Sequence, residues 1–288
     1  MDSFHAREHA IALIRQGDFA GAYGAVKHLE NDQDENIWVK KVKDVSDYFG
    51  GQLEEDRVNL TVYLEDFTNE VPRCLLVAMR AETALLSNRI ADAISLTCTF
   101  WDAAILDAIE RNQQVEINEV ENRIIYPADY AVAPKLTKGN RPCLKNEFPE
   151  KGHYYYNVMY LCFKFWFKII GENVKHLEIY RDALYNEISI EPIPKDGSKK
   201  LIPRNLRNVN THSLVKSEQL AIAEKVFVKA GFWATDAKPI AAGSCFLAQD
   251  LVDNVLKELG QTNVSQRYAQ LIKGVCGELA KPATIKVN

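Results

Sequence analysis

Closely spaced cysteines are missing from this sequence. Cys74, Cys98, Cys143, Cys162, Cys245 and Cys276 lie far apart, and no two form a CxxC pair. Structural zinc sites take their ligands in short-spaced pairs, so zinc fingers and ribbons are excluded. A long uninterrupted apolar run is missing too. The densest stretch is YYYNVMYLCFKFWFKIIG, residues 154–171, and Lys164 and Lys168 break it. That is too short and too charged for a comfortable membrane crossing, and it reads as a buried helix whose aromatics fill core volume. The opening MDSFHAREHA carries charges where a secretory leader needs an apolar centre. The expectation is a cytoplasmic protein with reduced thiols and no membrane partner.

An excess of basic residues is also absent. Lys and Arg number 35 against 39 Asp and Glu, for a net charge of −4. Any nucleic-acid site must therefore be local. The apolar fraction of 47% in 288 residues is ample for a globular core, in one large domain or two ordinary ones.

What the chain does contain is helical periodicity. AREHAIALIRQGDFAGAYGAVKHLE reads as two helices broken at Gln16-Gly17-Asp18, with Asp18 the N-cap of the second. DENIWVKKVKDVSDYF gives a third, ending near Gly50-Gly51. RVNLTVYLEDFTN and RCLLVAMRAETALLS follow, then a long amphipathic helix over 89–113. A short hairpin is expected over 115–126, then an irregular connection over 131–149 with prolines and glycines. Helices return over 153–171, 173–188, 213–231, 243–259 and 264–279. The fold class is all-α, a two-part helical bundle of residues 1–130 and 150–288.

Between the helices read over 173–188 and 213–231 lies ISIEPIPKDGSKKLIPRNLRNVNT, read as a turn-rich loop on the strength of Pro192, Pro194, Gly197 and Pro203. From Ile193 to His212 the cations Lys195, Lys199, Lys200, Arg204 and Arg207 stand against Asp196 alone. The expected setting is a loop feeding a helix N-terminus, where free N–H groups favour an anion. His212 lies at that junction, and its side chain suits proton transfer near neutral pH. Such groups fit RNA cleavage by the substrate's own 2′-hydroxyl. A histidine moves protons, and a guanidinium holds phosphate oxygens in bidentate fashion. That chemistry requires no metal and no cofactor. The plain alternative is a solvated surface loop with an ordinary helix-start histidine.

RNVNTH, Arg207 to His212, resembles the Arg-polar-x3-His form of the HEPN ribonuclease motif, with Asn208 in the polar position. The helical context, with GDFAGAYGAVKHL and RIADAISLTCTFWDAAILDAIE upstream, is similar to the middle and HEPN domains of ribonucleases associated with type III CRISPR systems. The resemblance implies a C-terminal HEPN-like domain that cleaves single-stranded RNA. In it, His212 is the acid or base, or orients the 2′-hydroxyl. Arg207 stabilises the scissile phosphate and Asn208 fixes the geometry of the pair. Arg204, Lys199 and Lys200 are added from charge alone as RNA-backbone contacts. Those relatives begin with a Rossmann-like domain that senses cyclic oligoadenylate. This chain opens on helices and has no Gly-rich strand-to-helix turn, so sensing of that ligand is not expected of it.

The motif supplies one histidine, whereas acid–base cleavage works best with two proton-transfer groups. A two-fold homodimer with a composite site is therefore expected. His5 and His9 share a helix face but lack a nearby third ligand, and His28, His153 and His176 have no comparable setting. Phe232 and Trp233 are weighed as a base-stacking pair against a buried helix end. Two other functions stay open: a HEPN toxin of a toxin–antitoxin pair, and an all-α binding or scaffold protein whose basic loop docks an acidic partner.

Overall fold

The computed structural model describes residues 3–32, 36–50, 72–111, 116–118, 123–125, 137–138, 141–142, 174–193, 197–212, 217–235 and 246–280. The helices expected over RVNLTVYLEDFTN and over 153–171 lie outside them, as do Tyr154, Tyr155 and Tyr156. The described residues are mostly helical, as expected of an all-α chain.

Helix α1 spans Ser3–Arg15 and buries Ala6, Ala10 and Ile14, four residues apart on one face. It stops at Gly17, whose φ of +76° is a left-handed conformation that a side chain disfavours. A Cβ there would also meet the Thr83 carbonyl oxygen at 3.0 Å. Asp18 then caps α2 (Phe19–Val26): its Oδ1 accepts the Gly21 N–H at 2.8 Å. A single 3-10 turn, Lys27–Leu29, leads towards α3 (Asn36–Gly50). Helices α4 (Arg73–Leu86) and α5 (Ile90–Glu110) pack closely against each other.

The hairpin expected over 115–126 is present, with β1 (Glu116–Asn118) antiparallel to β2 (Arg123–Ile125). A second minimal pair, β3 (Thr137–Lys138) and β4 (Arg141–Pro142), falls in the stretch read as irregular. Then come α6 (Lys175–Tyr185), β5 (Ile188–Ile193), β6 (Gly197–Leu201), α7 (Pro203–His212) and α8 (Ser217–Lys229). The last described helices are α9 (Asp250–Glu258) and α10 (Val264–Ala280).

Residues 188–212 depart from the sequence reading. They form a hairpin and a helix, not a loop. The apolar positions Ile188 and Ile190 alternate with Ser189 and Glu191, the period of a strand. Pro192 has no N–H for the ladder, and the register shifts between Ile190 and Ile193, where a proline is tolerated. Pro203 does not end structure but starts it. It occupies the first helical position, where the missing N–H costs nothing.

Buried residues from both sides of the expected 131–149 connection, from Ala6 to Cys276, belong to one hydrophobic cluster. α10 packs on α1 and α3, while α5 touches α6, α7 and α8. Thr83 on α4 and Tyr268 on α10 share a hydrogen bond of 2.7 Å, and Trp101 Nε1 on α5 donates to the Leu177 carbonyl at 3.1 Å. An aromatic group fills the middle: Phe100 lies 5.1 Å from Tyr180 and 5.7 Å from Phe246 between ring centroids.

Candidate active site

Helix α7 carries three of the predicted site residues that need a common surface, Arg204, Arg207 and Asn208, and also bears the fourth, His212. Its sequence, PRNLRNVNTH, is poor in apolar residues. Pro203 is buried and Leu206 is partly buried against the core. Charge supplies the rest of its attachment. Arg204 and Arg207 are three apart on the helix, so they share a face. On α5, Cys98 and Asp102 are four apart and share the facing one.

Asp102 is 2% exposed, and both arginines converge on it. Arg204 Nη2 lies 3.0 Å from Oδ2 and 3.5 Å from Oδ1, while its Nη1 donates to the Cys98 carbonyl at 2.9 Å. Arg207 Nη1 meets Oδ2 at 3.5 Å. The Arg204 side chain is 16% exposed and that of Arg207 is 31% exposed. Burial pushes the Asp102 carboxyl above the ordinary carboxylate range, and Arg204, then Arg207, pull against that shift. The neighbouring Cys98 thiol is pushed up to about 12 by its burial, which the arginines only partly offset. It is a core thiol, not a nucleophile.

The geometry corrects the expected setting of the motif. Arg207 and His212 are not on a loop running into a helix N-terminus. They lie within one helix, and His212 is the last of its described residues. The anion-favouring end of α7 is at Pro203–Arg204, away from His212. Five positions on a helix of this pitch are separated by about 140° around the axis, so the two residues leave α7 in different directions.

Arg204 departs from its expected role as an open phosphate contact, because it is held by Asp102 and the Cys98 carbonyl. Lys199 and Lys200 sit on β6, opposite Ile190 and Ser189 of β5. The Lys200 side chain is 65% exposed and pairs with Glu187 at 3.0 Å. Lys229 of α8 donates to the Ser189 carbonyl at 2.8 Å and ties the hairpin to the helix. The side chains of Asn208, His212 and Lys199 lie outside the described residues.

Phe232 and Trp233 are buried at 0% and 3% exposure, and Trp233 Nε1 donates to Thr97 Oγ1 at 3.0 Å. Base stacking is therefore excluded for this pair, and the buried helix-end reading holds. His5 and His9 are exposed on α1. No group of three or more His, Cys, Asp or Glu among the described residues is placed to hold a metal ion. No helix among them is long and apolar enough to cross a membrane.

Asp102 is the residue of this cluster that sequence reasoning missed. A signal existed: it interrupts the apolar run of TCTFWDAAILDA, in a stretch that is buried throughout from Phe100 to Ala108. A carboxylate in such a run needs a partner, and here the partners are Arg204, just outside the motif, and Arg207 within it. Comparisons with family models, curated proteins and solved structures gave no match to this chain.

Proposed function

We propose that the chain is a metal-independent endoribonuclease of the HEPN type that cuts single-stranded RNA, with a role in CRISPR-linked or other antiviral defence. The observation that carries the reading is the partly exposed Arg207 guanidinium of α7, set against the buried Asp102 carboxylate of α5 on the same helix that bears His212. A guanidinium in that position meets phosphate oxygens, and the histidine exchanges protons. In the reaction, the substrate 2′-oxygen bonds to phosphorus as its proton passes to a base. The bond to the 5′-oxygen breaks, and that oxygen takes a proton from an acid. The products are a 2′,3′-cyclic phosphate and a 5′-hydroxyl. Arg207 offsets the extra negative charge of the phosphorane.

The divergence of Arg207 and His212 around one helix supports the homodimer. Two copies of α7 related by a two-fold axis bring an arginine of one protomer towards a histidine of the other. The test uses labelled single-stranded RNA and its DNA counterpart in EDTA, with wild type beside His212→Ala. Cleavage of RNA alone to cyclic phosphate ends, lost in the variant, is the expected result. Cutting that survives in His212→Ala, or equal cutting of DNA, would end this reading. Sedimentation showing a fully active monomer would end the composite site.

A second reading has its own observation. Arg204 and Arg207 both serve as ties between α7 and α5, which suits an all-α scaffold whose basic hairpin docks an acidic partner. Absence of RNA cleavage under all conditions, together with binding to acidic protein surfaces, would favour it.

A further inference from the structure

We propose that the base of the β5–β6 hairpin and the adjoining face of α8 form a track for RNA phosphates, built by Lys200, Ser189, Lys229 and Lys225, with Glu187 as a built-in competitor. The inference takes its ligand from the ribonuclease reading, but it concerns binding and not the chemical step.

The register of the hairpin brings the first two residues together. Ser189 of β5 lies directly opposite Lys200 of β6, so the hydroxyl and the ammonium stem leave the same face of the sheet. Ser189 is exposed, and the Lys200 side chain is 65% exposed. Lys229 of α8 reaches the same serine: its Nζ donates to the Ser189 carbonyl at 2.8 Å. Lys225, one turn earlier on α8, is exposed as well and shares the face of Lys229. β6 and α8 thus each bring a cation to Ser189, and α8 continues the row with another. Lys200 stands shortly before Pro203, so the cluster sits at the entry to α7.

An anion already sits in the cluster. Glu187 pairs with Lys200 at 3.0 Å, and its side chain is 56% exposed. A pair so open to water is weak, and a competing anion displaces it. The side chain of Glu191, further along β5, lies outside the described residues. A phosphate is a better occupant than a carboxylate, because its oxygens accept from ammonium groups and a hydroxyl together. A chain of phosphates also gains from a row of cations, since each contact releases counterions. Glu187 is therefore the group that RNA must displace.

The test is fluorescence anisotropy of a short fluorescein-labelled single-stranded RNA. The parent is the full chain carrying His212→Ala, so that the probe stays intact. Lys200→Met is expected to weaken binding about threefold and to lower the salt-dependence slope by about one. Lys225→Met is expected to lower that slope similarly, without touching the bond that ties Lys229 to the hairpin. Glu187→Gln is expected to tighten binding about threefold. The control is Glu178→Gln, which removes an exposed carboxylate earlier on α6. Long-range electrostatics alone gives both Gln variants the same gain, whereas the track gives Glu187→Gln the larger one. Adding Lys200→Met to Glu187→Gln abolishes that excess, because Glu187 acts through Lys200. Far-UV circular dichroism confirms that each protein compared is folded.

Unchanged affinity and slope in Lys200→Met overturn the proposal, as do equal gains in Glu187→Gln and Glu178→Gln. A parent that binds no RNA overturns it too, and binding of poly-glutamate in its place assigns the hairpin to an acidic protein partner. If the lysine variants lose RNA affinity but the wild type cuts nothing in EDTA, then the cleavage reading fails and the phosphate track stands.

Discussion

The Asp107 carboxylate on α5 accepts the Cys74 backbone N–H at 2.8 Å, and so one helix supplies the N-terminal cap of another. The residue before α4 is Pro72, which makes no side-chain cap. Asp107 takes its place, and also accepts from the Arg73 backbone N–H at 3.3 Å and from Arg73 Nη1 at 3.2 Å. The start of α6 repeats the device. Val174 cannot cap, and Glu258 of α9 accepts the His176 and Leu177 N–H groups at 3.1 and 3.2 Å. Glu82 of α4 likewise accepts from Phe246 and Leu247 at 2.7 and 3.1 Å. Buried carboxylates therefore fix how these helices meet, because orphan N–H groups in a core need an acceptor.

Removing the cap should show in stability. Asp107→Ala leaves buried N–H groups at the start of α4 without their acceptor, an expected loss of about 1–3 kcal/mol. Urea denaturation measures it. A midpoint equal to wild type would mean that α4 does not depend on this cap.

The same residue gives a pH dependence with a definite sign. Burial raises the Asp107 carboxyl above the ordinary carboxylate range, and its hydrogen bonds from Cys74 and the charge of Arg73 only partly counter that. The folded protein thus holds this proton to higher pH than the unfolded chain, which releases it near about pH 4. The associated stability is full below that pH and is lost as pH rises through the folded-state value. Asp107→Asn does not titrate. The stability of wild type minus that of Asp107→Asn should therefore fall as pH rises from the acid side, read from thermal midpoints across pH 4 to 7. A difference that grows with pH would contradict the assigned shift.

Arg204 and Arg207 should separate by the kind of defect they cause. Arg204→Gln leaves Asp102 buried without its main counter-ion, and about 3–5 kcal/mol of stability is expected to go. Arg207→Gln leaves the Arg204 pair in place, so a loss of under about 1.5 kcal/mol is expected, with RNA binding reduced more than in Arg204→Gln per folded molecule. Paired denaturation and anisotropy measurements decide it. The reverse order of stabilities would show that Arg207 is the structural partner.

Trp233→Phe tests the excluded stacking role. The ring stays in the core beside Phe227, from which Trp233 is 4.7 Å between centroids, but the bond to Thr97 Oγ1 is lost. Stability should drop by about 1 kcal/mol with no change in RNA affinity. An affinity loss with unaltered stability would place this residue on the surface.

Features that depend on near neighbours were legible in the chain. The Gly17 break and the Asp18 cap involve a carboxylate and an N–H only three residues apart, and the amphipathic helices α3, α4 and α5 carry their period on their face. The short hairpin at 116–125 was legible from alternation. Residues 188–212 were misread because prolines and a glycine are ambiguous. Pro192 marks a shifted register inside a strand, and Pro203 the first turn of a helix, yet both resemble loop punctuation when the partner strand is unseen.

Folding alone decided the site. Asp102 and Arg204 are 102 residues apart, His176 and Glu258 are 82 apart, and Asp107 and Cys74 are 33 apart. No local pattern couples such positions. An acid in an apolar helix face says only that a partner must exist, since an unpaired buried charge is too costly to persist. Which cation answers it depends on how α5 and α7 pack. The RNVNTH stretch named the chemistry worth testing. The packing of α7 against α5 determined that Arg204 is drawn inward and that Arg207 stays partly exposed, on a helix that holds His212 within it instead of at its start.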